Sequence, residues 1–491
     1  MTTDFNSRRF RRRVEELAAR DPARALWAIS RLVLEVISHQ SSIGRVFSSC
    51  DLDAAAQSIG ATLTADIKAT ARKDDHIVYL LTQVGQYGGH GRVLRDLIAA
   101  EPAKRKTLIL SHVFPATSSE YDIIVKSGVE VLVAPEGDMA EKTRWIATTL
   151  ARLAPRKSYM MLHQFDSALV AAAQPCLTGQ LVFIHNCDHA LCLGIHIPHS
   201  VHADFHRKGF FRCRAERSAP ELGTGHGTPP TASSPPYIIP MTAEDIGTRR
   251  GGRFLQRGHI TTATTGGFEK FSNAHYLEPR PYLYQYPEIA GTVLAATRGT
   301  HIHVGPLPDE IFSQIRADVT ALGLPADRFI HVKNTPNVWQ LFLDDAVDVY
   351  IGSAPYGGGR ATVEAMGAGL PLVIHSNYRS EFLSVEFEVY REAMIWRDLD
   401  QLRVQLSTID TAKLERHSAL SRAYYEDHHA QVRLSEALTR IDRGLPQPEP
   451  EPINWLGDPL QDFIDEALPR MQRLNIDETV EIMKLGGRRE P

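Results

Sequence analysis

The sequence lacks several features that would assign it at once to a familiar class. It carries only 5 cysteines in 491 residues, without a repeated C-x-x-C pattern, which predicts reduced thiols and argues against a disulfide framework. No apolar run reaches the roughly 18 residues of a membrane-spanning helix. The formal net charge is only −4, which argues against a general grip on nucleic acid. We therefore expect a cytoplasmic protein without a transmembrane segment or a nucleic-acid partner.

The dinucleotide-binding fingerprint G-x-G-x-x-G is also missing. It would mark the turn between the first strand and the first helix of an NAD-binding or FAD-binding unit. The glycine-rich turn that follows the first clear strand reads G-Q-Y-G-G-H-G at 85–91, and its spacing differs from the fingerprint. An NAD-dependent oxidoreductase is therefore disfavoured.

Strand and helix patterns alternate along most of the chain. In the first half, apolar strand candidates lie at 76–81, 107–112, 130–133, 158–162 and 180–184, with helical patterns between them. A second series begins near 258 and includes 300–304 and 329–332. This alternation predicts parallel, doubly wound sheets and hence the α/β fold class.

Changes in composition divide the chain into four parts. Residues 1–70 carry apolar residues at helical spacing and predict a helical N-terminal extension. A first α/β domain at 71–245 ends in an insertion near 214–245 that is rich in Pro, Gly and Ser and lacks periodicity. A second α/β domain covers 246–445. A proline-rich and acidic linker followed by a C-terminal helix accounts for 446–491.

One stretch of the second domain carries the most specific pattern. Residues 348–374 read D-V-Y-I-G-S-A-P-Y-G-G-G-R-A-T-V-E-A-M-G-A-G-L-P-L-V-I. This is a strand, a loop of three glycines, a helix from about Arg360 and a second strand. Glycines let a ligand approach the backbone closely, and the first turn of a helix offers N–H groups to an anion. The stretch therefore predicts a phosphate-binding loop.

The full string, G-G-G-x-x-x-x-E-A-x-x-x-G-x-P-L-V, resembles the donor-site segment of GT-B glycosyltransferases. The resemblance implies two facing Rossmann-like domains, here with the helical extension in front. It also implies transfer of a sugar from a nucleotide-sugar donor to an acceptor hydroxyl or amine. It assigns the diphosphate side to Gly357, Gly358, Gly359, Arg360 and Thr362. It assigns the ribose hydroxyls to Glu364.

Other loops match the same resemblance. In the second domain, Thr265 and Gly266 form a loop after the first strand, and Lys270 matches a basic residue that neutralises the departing diphosphate. In the first domain, the turn expected near the donor phosphates or the acceptor contains Gly88, Gly89 and His90. A later loop, expected to contact the nucleobase, contains Lys333, Asn337 and Val338.

Polar side chains follow the strand candidate at 180–184. His185, Asp188 and His189 come directly after it, and ligands of open α/β sheets bind beyond the carboxyl ends of the strands. A transferase needs a base for the acceptor proton, and His or Asp can serve near neutral pH. We therefore expect the base among these three residues.

Two other interpretations of this cluster stay open. His185 can be a buried histidine with satisfied hydrogen bonds. The cluster can also belong to a metal site, because further histidines follow it at His196, His199, His202 and His206. The resemblance implies no catalytic metal, and none is expected.

One departure from the family pattern bears on stereochemistry. Many retaining members carry two glutamates as E-x7-E, but Tyr356 stands where the first would precede Glu364. The pattern is also similar to the inverting, protein-modifying group related to O-GlcNAc transferase, so inversion with a His/Asp base is favoured. The resemblance implies a hexosyltransferase with a UDP-sugar as co-substrate and no cofactor. The acceptor, a glycan, a protein or a small molecule, stays open, as does homo-oligomer formation.

Two rival functions are compatible with the same sequence. A GT-B-fold nucleotide-sugar epimerase would act on the donor itself and need no acceptor. A non-catalytic nucleotide-binding or sugar-binding scaffold would use the same loops without turnover.

Overall fold

The computed structural model describes most of the chain. The described residues are 7–38, 42, 46–84, 89–103, 105–113, 124, 127–187, 189–218, 236–248, 254–272, 284–377 and 383–450. Gly88, Asp188, most of the insertion predicted near 214–245 and the predicted C-terminal helix lie outside them. The chain forms two compact units. The first contains the residues up to Ile239 and those from Ala437 onward, and the second contains Pro240–Glu436.

The described part of the first unit contains a seven-stranded sheet in the order β3-β2-β1-β4-β5-β6-β7, in which all neighbours pair in parallel. Its strands are β1 (Lys73–Leu81), β2 (Arg105–Leu110), β3 (Glu130–Val133), β4 (Pro155–Met161), β5 (Gln180–His185), β6 (Ser200–Asp204) and β7 (Tyr237–Ile238). The strand order reverses at β1, whose Leu81 pairs with Leu110 on one side and Met161 on the other.

Helices cover this sheet. They are α1 (Ser7–Ala18), α2 (Pro22–Ile37), α3 (Cys50–Leu63), α4 (Gly89–Ala100), α5 (Met139–Leu153), α6 (Ser167–Ala172) and α7 (Arg207–Ser218). The three N-terminal helices share one core with the sheet, in which Ile29, Ile59 and Val78 are buried together. Apolar residues at helical spacing explain this packing, because they form one continuous stripe on each helix.

The second unit repeats the same design. In its described residues the sheet has six parallel strands in the order β10-β9-β8-β11-β12-β13. The strands are β8 (Thr261–Thr265), β9 (Thr300–Val304), β10 (Phe329–Val332), β11 (Val349–Ile351), β12 (Leu372–His375) and β13 (Met394–Trp396). The helices are α8 (Tyr286–Thr297), α9 (Asp309–Ala321), α10 (Val338–Asp344), α11 (Gly359–Gly367), α12 (Leu399–Ser407), α13 (Thr411–His428) and α14 (Gln431–Asp442), whose last turns belong to the first unit.

A threonine-rich strand at the centre of this second sheet is fully buried. β8 reads T-T-A-T-T, and its polar side chains need partners inside the unit. Thr262 Oγ1 lies 2.8 Å from His301 Nδ1, and Thr265 Oγ1 lies 3.0 Å from the Tyr350 hydroxyl. Asp348 accepts the backbone N–H of Thr261 at 2.8 Å, which fixes the start of the strand.

The predicted alternation of strands and helices is confirmed, and three strands were not predicted. β6 carries Ser200, His202 and Asp204 among five residues, so its sequence lacks an apolar run. β7 and β13 contain only two and three residues. Polar or very short strands leave no periodic signal. In the part of the chain that the structure describes, no helix is both long and apolar enough to cross a bilayer.

A glycine in α3 makes a close contact that tests this packing. A Cβ built on Gly60 would lie 1.9 Å from the carbonyl oxygen of Ala171 on α6. We expect Gly60→Ala to destabilise the protein by about 1–3 kcal/mol through overpacking, measured by thermal unfolding. Gly291 in α8 is the matched control, because a Cβ there meets nothing within 4 Å. Gly291→Ala should be neutral or stabilising by up to about 1 kcal/mol, and an unchanged melting temperature for Gly60→Ala would contradict the packing.

Candidate functional site

The strand order of the second sheet reverses at β8, which lies between β9 and β11. In open α/β sheets this reversal leaves a crevice beyond the carboxyl ends of the two central strands, where ligands bind. The loop 266–270 follows β8, and the loop 352–359 follows β11. The sheet therefore brings together the two loops in which the sequence predicts diphosphate contacts.

The loop after β8 packs tightly against its neighbours. Gly266 has a φ of 147° and donates its N–H to Val304 O at 2.9 Å. A Cβ on Gly305, at the end of β9, would lie 2.1 Å from Gly266 O. A short 3-10 turn, Phe268–Lys270, follows, and the Lys270 carbonyl accepts the Tyr356 N–H at 3.2 Å. This hydrogen bond joins the loop after β8 to the loop after β11.

The half-buried side chain of Lys270 points to the glycine loop. A Cβ built on Gly358 would lie 3.4 Å from Lys270 Nζ and 3.4 Å from Ser353 Oγ. A primary ammonium and a hydroxyl therefore lie beside the Gly358 backbone. The ammonium suits a phosphate as a point charge, whereas the Ser353 hydroxyl donates to Tyr356 O at 2.6 Å and stabilises the loop.

Helix α11 begins at this same position. Gly358 is its N-cap residue, and no side chain among the described residues caps it. The first intrahelical bond is that from the Thr362 N–H to Gly358 O, at 3.1 Å. The amides of Gly359, Arg360 and Ala361 therefore precede the hydrogen-bonded turns. Such a helix end favours an anion through its N–H groups and through the helix dipole.

The three glycines of the loop have different surroundings. Gly357 donates its N–H to Leu383 O at 2.8 Å, and a Cβ on it would lie 2.8 Å from Val385 Cγ1. Its lack of a side chain serves packing. A Cβ on Gly359 would lie 3.3 Å from Met241 Cε. Among the three glycines, only Gly358 has its Cβ position beside a cation.

The first two turns of α11 hold the other predicted donor contacts. Glu364 is 5% exposed, and its Oε1 accepts Arg360 Nε at 3.4 Å. Thr362 Oγ1 donates to Gly358 O at 2.8 Å, so this hydroxyl stabilises the loop from within the helix. Burial raises the pKa of the neighbouring Tyr350 hydroxyl to about 12, so Tyr350 is neutral and holds Thr265 in place.

The loop predicted to contact the nucleobase lies farther along the sheet. Lys333 is exposed after β10, the edge strand, and β9 separates that strand from β8. The Asn337 side chain accepts the Gln340 N–H at 3.1 Å as the N-cap of α10, and Val338 is the first residue of that helix. These three residues follow a different strand from the two that carry the glycine loop and Lys270.

In the first unit the order also reverses, between β1 and β4. His90, in the first turn of α4 after Gly89, stacks on His163 with ring centroids 4.6 Å apart. His90 Nε2 also lies 3.5 Å from Cys187 Sγ, which follows β5. Burial lowers the pKa of His163, so its ring is neutral near pH 7. Half-buried His189 follows two residues after Cys187.

His185 has a different environment from His189. It is fully buried, and its Nδ1 lies 2.9 Å from Asp204 Oδ1. Burial alone would raise the pKa of Asp204, but the charges and hydrogen bonds of His202 and His185 outweigh it and lower that pKa. Asp204 is therefore ionised, and it holds His185 inside the unit, where the ring does not meet solvent.

Several residues of these environments were not found from the sequence. Ser353 lies in the predicted stretch, but its contact with the glycine loop depends on the fold of the loop. Asp204 and Cys213 are 19 and 28 residues from His185 along the chain. The sequence does contain one signal for this group. The alternation His202-x-Asp204 places both side chains on one face of a strand and could have indicated Asp204.

Comparison with known proteins gives matches among solved structures. No protein-family model and no curated protein matches the chain. HepE from Anabaena in complex with UDP is similar at a TM-score of 0.53 and 16% identity, covering 75% of this chain and 100% of that chain. Its complex with UDP and glucose matches with the same coverage at a TM-score of 0.52. A glycosyltransferase from Rickettsia africae is similar at a TM-score of 0.53 and 8% identity, covering 75% and 98%.

At these identities the likeness concerns the fold. Both sheets have the reversed strand order of a Rossmann-like unit, and each is covered by helices. The structures that match include UDP-bound HepE and a protein described as a glycosyltransferase. The chain therefore shares the α/β fold of these structures, and the predicted fold class, α/β with Rossmann-like units and N-terminal helices, is confirmed.

Proposed function

We propose that this chain is a glycosyltransferase that moves a hexose from a UDP-sugar to an acceptor hydroxyl or amine. The observation that carries the proposal is the ammonium of Lys270 beside Gly358, at the uncapped start of α11 and at the strand-order reversal of the second sheet. Two sources of positive potential meet there on a backbone that a phosphate can approach.

In the proposed reaction the bond between the anomeric carbon and the β-phosphate oxygen breaks. The electron pair leaves with the nucleotide diphosphate, so negative charge grows on that oxygen. Lys270 and the α11 amides stabilise this charge. One preorganised donor in a dry site contributes about 3–4 kcal/mol to the transition state, and a helix start adds up to roughly 2 kcal/mol.

The nucleoside part of the donor is assigned to Glu364. Its carboxylate is nearly buried and lies within two turns of the start of α11. It accepts a hydrogen bond from Arg360 Nε at 3.4 Å. A carboxylate accepts hydrogen bonds from both ribose hydroxyls, while Arg360 orients it. The presence of UDP in the HepE complexes supports a uridine nucleotide.

His189 is proposed as the base. The acceptor oxygen or nitrogen attacks the anomeric carbon from the side opposite the leaving group, and its proton passes to the imidazole. A single displacement of this kind inverts the anomeric centre. His189 is preferred to His185 because His185 is fully buried and hydrogen-bonded to Asp204, whereas His189 is half-buried. Asp188 is a further member of the proposed catalytic set.

Donor binding predicts stabilisation by UDP and UDP-sugars. A ligand that binds only the folded state at 100 times its dissociation constant adds about 2.7 kcal/mol to the free energy of unfolding. For a chain of this size we expect an increase in melting temperature of a few degrees, measured by differential scanning fluorimetry with UDP-, GDP-, CDP-, ADP- and dTDP-sugars. If none of them shifts the transition at millimolar concentration, the donor site is not where we place it.

Lys270→Ala should weaken UDP binding selectively. A hydrogen bond to a charged group contributes about 1.5–3 kcal/mol, so the dissociation constant for UDP should rise roughly ten- to a hundredfold in calorimetric titrations. Uridine, which has no phosphate, should bind both proteins equally. Lys68→Ala, at an exposed lysine of the first unit, is the matched control. An equal loss for uridine and UDP would mean that Lys270 acts on the fold of the loop and not on the phosphates.

His189→Ala should separate donor binding from turnover. We expect the stabilisation by UDP to persist, while the transfer rate falls by roughly 10²–10⁴, the usual contribution of a general base. The wild-type rate should fall as the pH drops through the pKa of the base, because only the neutral imidazole takes a proton.

Product analysis with a radiolabelled UDP-sugar distinguishes this reaction from its rival. A transferred label supports the transferase, and released or isomerised sugar without an acceptor adduct supports an epimerase. An unchanged transfer rate in His189→Ala would reject His189 as the base.

A further inference from the structure

Four potential metal ligands meet inside the first unit. His185, His202, Asp204 and Cys213 are all 0% exposed, and one ligand atom from each lies within 4.8 Å of the others. The group contains two imidazoles, a carboxylate and a thiol. These are the ligand types that Zn²⁺ prefers in proteins.

The fold holds these side chains from three elements. β5 and β6 pair in parallel with His185 opposite Asp204, and His202 lies two residues before Asp204 on the same face of β6. Helix α7 carries Cys213 onto these strand ends. A Cβ on Gly209 would lie 2.6 Å from Asp204 Oδ1, so this glycine lets α7 approach the carboxylate.

Two distances to Cys213 match those of a tetrahedral site. Bonds of 2.0–2.3 Å to a central ion place neighbouring ligand atoms about 3.3–3.8 Å apart. His185 Nδ1 lies 3.4 Å from Cys213 Sγ, and Cys213 Sγ lies 3.8 Å from Asp204 Oδ1. Asp204 Oδ1 and Oδ2 lie 2.9 and 3.0 Å from His185 Nδ1 and His202 Nε2. To surround one ion, the two imidazoles must separate slightly from Asp204, and the most distant ligand atoms, which lie within 4.8 Å, must close on the ion.

Charge balance also favours a divalent ion. A bound thiolate and carboxylate carry two negative charges, and two neutral imidazoles add none, so a divalent cation makes the buried group neutral. We propose that His185, His202, Asp204 and Cys213 bind one Zn²⁺ ion as a structural site of the first unit.

The site would be structural and not catalytic. Four protein ligands complete a tetrahedral shell, whereas catalytic zinc keeps a position for water or substrate. The ligands lie on β5, β6 and α7, so the ion would fasten two strands of the sheet to the helix that leads into the insertion. This proposal does not depend on the proposed transferase activity, because no step of the transfer uses the ion.

The metal content of the full-length protein tests the site directly. Chains purified without a polyhistidine tag, after expression with added zinc, should contain close to one zinc per chain by mass spectrometry. Replacement by Co²⁺ should give the intense visible bands of a tetrahedral ion and a thiolate-to-cobalt charge-transfer band. Cys213→Ser should lose this charge-transfer band. Cys192→Ser, at another buried cysteine that is not among the four ligands, should keep it.

Wild-type protein without zinc and without cobalt bands would show that the four side chains form a metal-free hydrogen-bonded network. Zinc and a charge-transfer band that persist in Cys213→Ser would show binding elsewhere. The cobalt spectrum of the wild-type chain decides the question if Cys213→Ser does not fold. A wild-type chain that contains zinc but is not stabilised by UDP would contradict the proposed function and leave the zinc site supported.

Discussion

The arrangement of the proposed donor site depends on one backbone hydrogen bond between two loops. The Tyr356 N–H donates to Lys270 O at 3.2 Å, and it thereby fixes the loop after β11 to the loop after β8. These loops are 80 or more residues apart in the chain, and only the reversal of strand order makes their strands neighbours. As a consequence, the Lys270 ammonium lies beside Gly358 at the start of α11.

The two units use the same topology for different chemistry. In the second unit the reversal brings together a lysine and helix amides, which suit an anion. In the first unit the strand ends carry two imidazoles and a thiol, those of His90, His163 and Cys187. The surrounding sheets are nearly alike, so the difference lies in the loops, as expected when function is carried by sites on a common fold.

How much could be predicted from the sequence follows from the range of each interaction. The α/β alternation and the glycine loop are local patterns, so both were found. Lys270 was found through a family resemblance, and the structure places it beside Gly358. The hydroxyl of Ser353 and the group around Asp204 were missed, because their contacts arise only after strands from distant segments pair. His185 shows the limit most clearly, since its position after a strand left a base and a buried histidine equally open, and the structure buries it against Asp204.

The central claim is that a nucleotide diphosphate binds at the start of α11 beside Lys270. A crystal structure of the chain with UDP tests it most directly. The account predicts a phosphate oxygen about 2.7–2.9 Å from Lys270 Nζ, with others within hydrogen-bonding distance of the amides that follow Gly358. A diphosphate bound away from Lys270 and from this helix start would contradict the account.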